Sequence, residues 1–205
     1  MPFWARIAVV GALVLANTAI YLLSNTHPVR APTVLHPNSF DLLLGWHAWT
    51  IWPYWLLLAL APAMALSLHS RHILWLTLRA YATALAVNFS IWLLWPTQVM
   101  RAALPAVLDP ATAAAWRWLY AIDAPNNCFP SGHATIPLVV AAGFCAQHPG
   151  ARRWPFVAIV VLLPSVVTTG QHTSWDVLGG TATAVLGLLL ASPALLRAQW
   201  RPTCP

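Results

Sequence analysis

Two histidines in this chain have neighbours that suit them to proton and group transfer. His172 lies in GQHTSWDVLGG, residues 170–180, four positions before Asp176. On a helix that spacing puts both side chains on one face, where the carboxylate can accept the imidazole Nδ1–H. Such a bond fixes the tautomer, leaves Nε2 free as nucleophile or base, and stabilises the positive charge that develops on attack. The same spacing also fits a purely structural hydrogen-bonded pair. His133 lies in CFPSGHA, residues 128–134. If a helix begins near Pro130 or Ser131, its first turn offers unpaired N–H groups and a partial positive charge. Ser131 adds a hydroxyl, and Gly132 lacks the side chain that would block a ligand. That is a cradle for a phosphate group, with His133 placed to protonate a departing oxygen. An ordinary helix start, with proline and serine as its first residues, reads the same way.

The elements that must position these residues belong in a membrane. Of 205 residues, 60% are hydrophobic and 7% charged, and the mean hydropathy is +0.68. A water-soluble surface needs far more charge than that. Lysine and glutamate are absent, and the net charge of +6 sets ten arginines against Asp41, Asp109, Asp123 and Asp176. The arginines flank apolar runs rather than forming a basic tract, so no nucleic-acid partner is expected. Cys128, Cys145 and Cys204 are odd in number and widely spaced, which speaks against a disulfide framework or a CxxC metal site.

A bilayer-crossing helix takes ~20 mostly apolar residues. Six stretches qualify, roughly 7–23, 49–68, 73–95, 129–147, 154–172 and 175–196. The fifth reaches that length only by running into the Thr168-Thr169-Gly170 turn. The first exceeds the ~7–15-residue core of a signal peptide and reads as a retained span. The expected fold is all-α, a polytopic six-transmembrane-helix bundle forming a single integral membrane domain over 1–205. With the N-terminus inside, Arg6, Arg71, Arg79, Arg152, Arg153, Arg197 and Arg201 are cytoplasmic, while Arg30, Arg101 and Arg117 are outside, in keeping with the positive-inside rule. Both termini are then cytoplasmic. PTQVMRA (96–102), CFPSGHA and SVVTTGQHTSWDVLGG (165–180) converge on the outer side. Trp46, Trp49, Trp52 and Trp55 recur every third residue as an interfacial stripe. Asn88 and Ser90 are expected to bond between helices, and the alanine-rich stretch around Trp116 and Trp118 to form a short interfacial helix.

Taken together, CFPSGHA and GQHTSWDVLGG resemble the type-2 phosphatidic acid phosphatase superfamily, six-span membrane enzymes that process lipid phosphates through a phosphohistidine. The resemblance runs from about the third span to the sixth. It implies that His172 is the nucleophile, Asp176 its orienter and His133 the general acid, with Ser131 and Gly132 in the phosphate cradle and Arg101 as the arginine of the first motif. It implies no metal or other cofactor, a lipid phosphate substrate among membrane lipids, and a site on the outer face of a bacterial inner (plasma) membrane. The chain departs from the family pattern where Leu94 stands in place of the first motif's lysine, Ala102 in place of its proline, and Val166 in place of the third motif's arginine. A site with so few cations suits a singly charged diester better than a dianionic monoester. The order His172-Thr173-Ser174-Trp175-Asp176-Val177 also resembles the inositolphosphorylceramide- and sphingomyelin-synthase-like branch. The expected activity is a phosphatase or phosphotransferase acting on lipid phosphate esters, with a phosphodiester-transferring synthase or an inactive member as alternatives. Two other classes use the same residues: a zinc hydrolase with His133, His172 and Asp176 as ligands, or a transporter or assembly subunit with a polar pathway.

Overall fold

Most of the apolar runs become helices, and the places where they stop matter most for the site. The computed structural model describes residues 1–151 and 154–199; Arg152, Arg153, Arg201 and Cys204 lie outside the described residues. In the first half come α1 (Phe3–Thr26), α2 (Ser39–Leu44), α3 (Ile51–Leu66), α4 (Arg71–Leu94) and α5 (Pro110–Ile122). The second half holds α6 (Gly132–Gln147), α7 (Trp154–Leu162), α8 (Pro164–Thr168), α9 (Ser174–Ala191) and α10 (Pro193–Gln199). Two three-residue strands, β1 (Thr33–Leu35) and β2 (Thr97–Val99), pair in parallel with Thr33 opposite Thr97. The chain is therefore mostly helical, with one small strand pair linking its two long loops.

Among the described residues, four helical stretches are long and apolar enough to cross a membrane: Phe3–Thr26, Ala48–Leu66, Pro149–Thr168 and Ser174–Ala191. The other two expected spans fall short on different grounds. α4 has 24 residues but carries Arg71, Arg79 and Asn88, whereas α6 is apolar but has only 16.

The expected fifth span, 154–172, is two helices and a turn. Pro164 has no N–H to give an unbroken helix, so α8 starts anew there. Gly170 then adopts φ +65°, a left-handed conformation that glycine enters without penalty, and the chain leaves the helix before His172. His172 thus sits in a loop, not on a helix shared with Asp176. The sixth span ends at Ala191, where Ser192 and Pro193 break the run.

The centre is α4, α6 and α9, packed through Ala80, Ala84, Val139, Ala142, Ala184 and Leu188. Small residues let these backbones approach closely. A Cβ on Gly187 would lie 2.6 Å from the Ala80 carbonyl oxygen. Asn88 donates to Thr135 Oγ1 at 3.0 Å, joining α4 to α6, whereas Ser90 bonds back to Ala86 of its own helix. A second cluster joins Ile51, Tyr54 and Leu57 of α3 to Trp116 and Leu119 of α5 and to Val166 of α8. Trp116 is fully buried and donates to the Ala48 carbonyl at 2.8 Å, so one side of α5 is core while Trp118 stays exposed. The tryptophan stripe divides likewise: Trp49 and Trp52 are exposed, Trp46 and Trp55 pack on this cluster. Neither Cys128 nor Cys145 forms a disulfide.

Candidate active site

The loop before α6 is held from two sides. On one side β2 supports it: Thr97 Oγ1 accepts from the Phe129 N–H at 2.8 Å, and the Pro125 carbonyl accepts from the Val99 N–H at 3.1 Å. On the other, α1 contributes Asn25, whose side chain accepts from the Ala124 N–H at 2.7 Å and donates to the Asn126 carbonyl at 2.9 Å. Asn127, at φ 55°, donates to Ser24 Oγ at 2.9 Å; asparagine is among the residues that tolerate this conformation best. The result is a fixed Cys128 carbonyl.

That carbonyl sets the protonation pattern of the site. It lies 2.8 Å from His172 Nδ1 and can only accept, so in the neutral ring Nδ1 carries the hydrogen and Nε2 the lone pair. His172 Nε2 is 3.0 Å from His133 Nδ1, which must then be the donor. His133 Nε2 is left as an acceptor, 2.9 Å from the Tyr54 hydroxyl, which donates to it. One directed chain therefore runs from Tyr54 through His133 and His172 to Cys128, with His172 only 5% exposed.

Asp176 does not make the expected hydrogen bond to His172. Its Oδ2 accepts from the Thr173 N–H at 2.7 Å while the Thr173 side chain caps the Asp176 N–H, a reciprocal capping box at the start of α9. The same Oδ2 is 3.6 Å from His172 Nδ1, too far for a hydrogen bond yet close enough for its charge to be felt. The loop placement of His172 is the reason, because it points Nδ1 at the Cys128 carbonyl instead.

Ser131 is the N-cap of α6 and is fully buried. Its N–H donates to the Asp176 carbonyl at 2.9 Å, while Oγ has no hydrogen-bond partner. The cradle available to an anion is therefore Ser131 Oγ with the N–H groups of Gly132 and His133, which have no intrahelical acceptor. Helix α9 offers no second cradle. Asp41 Oδ1 accepts from its Ser174 N–H at 2.9 Å, and Asp176 occupies its first turn. Both carboxylates already meet the positive end of that helix.

Arg101 lies beside the site but is shared. Its Nη1 donates to the Asp123 carbonyl, Nη2 donates to Gln171 Oε1 at 2.9 Å and lies 3.7 Å from Asp123 Oδ2, and its guanidinium covers the Tyr120 ring. Burial pushes the Asp123 carboxyl above the usual carboxylate range, and the Arg101 charge opposes that shift. Arg117 is exposed on α5 and has not been brought to the histidines. Neither position that lacks its expected cation faces a vacancy: Leu94 is 68% exposed and Val166 is fully buried in the α3–α5 cluster.

The zinc alternative fails on geometry. His172 faces His133 through Nε2 and Asp176 through Nδ1, opposite edges of one ring, so the three side chains cannot converge on one ion. No group of three ligating side chains suited to a metal occurs among the described residues.

Behind the histidines opens a cavity of about 350 Å³ with mainly apolar walls from α1, α3, α4 and α6. His133 and His172 both line it. Sequence reasoning missed Tyr54, Asp123, Gln171 and the Cys128 carbonyl. Tyr54 sat unnoticed within the tryptophan stripe. A signal did exist for Asp176, since Thr-x-x-Asp before an apolar run marks a capping box. No family model, curated protein or solved structure matches the chain.

Proposed function

We propose that the protein is a membrane enzyme that cleaves or transfers a lipid-linked phosphate ester through a phosphohistidine on His172. The reading places it in the type-2 phosphatidic acid phosphatase superfamily, with α4 and α6 completing six spans, both termini cytoplasmic and the site at the outer interface of a bacterial inner membrane. The observation that carries it is the approach of His172 Nε2 to His133 Nδ1 at 3.0 Å, two residues from the buried Ser131 hydroxyl, which has no hydrogen-bond partner. His172, His133 and Gly132 at the start of α6 thus share the wall of one apolar cavity.

The steps follow from these atoms. His172 Nε2 attacks phosphorus, the bond from phosphorus to the ester oxygen breaks, and a protonated His133 delivers its Nδ1 hydrogen to that oxygen. Ser131 Oγ and the first N–H groups of α6 hold the equatorial oxygens, with Arg101 at the flank. Water or an alcohol then loses its proton to His133 Nδ1 and attacks phosphorus, breaking the P–N bond and freeing His172. In-line attack puts phosphorus ~3–3.5 Å from Nε2 and the leaving oxygen on its far side, ~2.7–2.9 Å from Nδ1, so the two nitrogens, now 3.0 Å apart, must part to admit the whole P–O unit. The phosphoryl group takes the place of their mutual hydrogen bond.

Tyr54 suits this cycle because a hydroxyl can donate or accept. It donates to Nε2 of the resting neutral ring and accepts from Nε2–H once His133 is protonated and after Nδ1 has given up its hydrogen, holding the ring throughout the cycle. Tyr54→Phe should lower kcat by about 10- to 100-fold with little change in KM, since it moves the acid rather than the lipid. A fall confined to KM would remove Tyr54 from this role.

The activity itself is tested by incubating purified protein with a panel of phosphatidic acid, isoprenoid diphosphate, phosphatidylglycerol and inositol phospholipid, with and without alcohol acceptors. Release of inorganic phosphate identifies a phosphatase, and a new phosphodiester identifies a transferase. Lipid flux across proteoliposomes without any product would replace this reading by transport.

A further inference from the structure

Helix α1 is held at its two ends and hardly at all between them. At the outer end the Tyr21 hydroxyl donates to Asp123 at 3.0 Å and Asn25 bonds the loop before α6. At the inner end Arg6 donates to the Leu66 carbonyl at 2.6 Å. Only Val10 and Asn25 of its 24 residues are buried, and it packs chiefly on α3. Between the ties, α1 stands off from α4 and α6, and the 350 Å³ cavity fills the gap.

The cavity is mainly apolar and spans several helical turns. Its wall on α1 runs from Val10 to Tyr21, about 17 Å at 1.5 Å per residue, rather more than half the ~30 Å hydrocarbon depth of a bilayer. Its walls are mainly aliphatic, and the polar positions on α1 are Asn17, Thr18 and Tyr21 toward the outer end. His133 and His172, the groups that would meet the phosphate, line the same space. An apolar cavity that reaches reactive groups can accept something hydrophobic joined to something reactive.

We propose that this cavity seats one hydrocarbon chain of the phosphate-bearing lipid, with α1 as its outer wall. The inference rests on the lipid-phosphate reading for the identity of the head group, while the seat itself is set by the walls. A chain lodged there supplies the packing that α1 lacks along its middle, and it holds the phosphate against the α6 cradle. Selectivity then resides in the chain as much as in the head group.

Val14 lines the cavity at 44% exposure, so a larger side chain there can be accommodated without disturbing the core. Val14→Trp should cut kcat/KM for a long-chain phosphatidic acid at least tenfold and leave a water-soluble short-chain analogue unchanged. Equal losses for both, or none for either, would overturn the proposal. A second measurement needs no turnover: phosphatidic acid with a diazirine at its chain end is photolysed with the full-length protein in phosphatidylcholine vesicles. Crosslinks should map to cavity residues such as Leu78 and Ile136 and diminish in Val14→Trp. Labelling spread over outward residues such as Leu189, and unaffected by the substitution, refutes the chain seat. If no lipid is turned over, the functional reading fails, and the crosslink map still decides the seat.

Discussion

His172→Ala is expected, on the proposed mechanism, to abolish product formation, lowering turnover by at least ~10⁴-fold, because the group proposed to form the covalent intermediate is gone and no neighbour replaces it. His133 cannot substitute. Its Nδ1 carries a hydrogen and its Nε2 is held by Tyr54. The informative comparison is Asp176→Asn. Were Asp176 the acceptor for Nδ1–H, its loss would release the tautomer and cost about as much as loss of the orienting aspartate in a serine-protease triad, ~10⁴-fold. Here the Cys128 carbonyl holds that hydrogen at 2.8 Å and Asp176 stands 3.6 Å away, contributing charge alone. A reduction of only about 10- to 100-fold is therefore expected, comparable to weakening one electrostatic contact to the developing imidazolium. Turnover of the preferred lipid, with acid-labile phosphate on the protein measured after quenching, checks both variants. Full activity in His172→Ala would end the phosphohistidine mechanism, and a ~10⁴-fold loss in Asp176→Asn would return the orienting role to the carboxylate.

Gly180→Ala should be the most damaging small substitution in the chain. An added Cβ would sit 2.2 Å from the Ser131 carbonyl oxygen and 3.1 Å from Ala134 Cβ. The first contact is with backbone at the N-cap of α6, so no side-chain rotation relieves it. Either α9 and α6 separate or the cap moves, and overpacking of this kind costs about 1–3 kcal/mol. The Ser131 carbonyl also accepts from Thr135, and the following residues carry the cradle and His133, so activity should fall with stability. Gly11 of α1 is the control, since nothing lies within 4 Å of a Cβ there. Gly11→Ala should be neutral or stabilise by up to ~1 kcal/mol through helix propensity. Thermal unfolding of both variants in the same detergent separates the cases. An unchanged midpoint for Gly180→Ala would show that α6 and α9 are not as closely apposed as described.

The parts legible in the sequence were those encoded by period and by local motif. Apolar runs marked the helices, and PSGH with the distant His172 marked the partners that meet. What stayed hidden depended on where the chain turns. Proline at 164 and a left-handed glycine at 170 took His172 off the helix, and with it the geometry that four-residue spacing implies. β1 and β2 are three residues each, too short for any alternation to show. Tyr54 reaches His133 from 79 positions away, and Asp41 reaches Ser174 from 133 away, with nothing local to announce either. Asn38-Ser39-Phe40-Asp41 did carry a legible capping signature, but not the fact that its carboxylate also closes α9.

The acceptor that orients His172 belongs to the main chain. Any amino acid at position 128 supplies the same carbonyl, so this element of the machinery is buffered against single mutations in a way that no side-chain partner can be. Asp176 is correspondingly released from a strict catalytic duty and can serve the helix start. On the proposed function, variation at Arg101, Asp123 and Gln171 can then alter which phosphate is held without disturbing the direction in which His172 points. Head-group preference and nucleophile alignment are, in this architecture, separately adjustable.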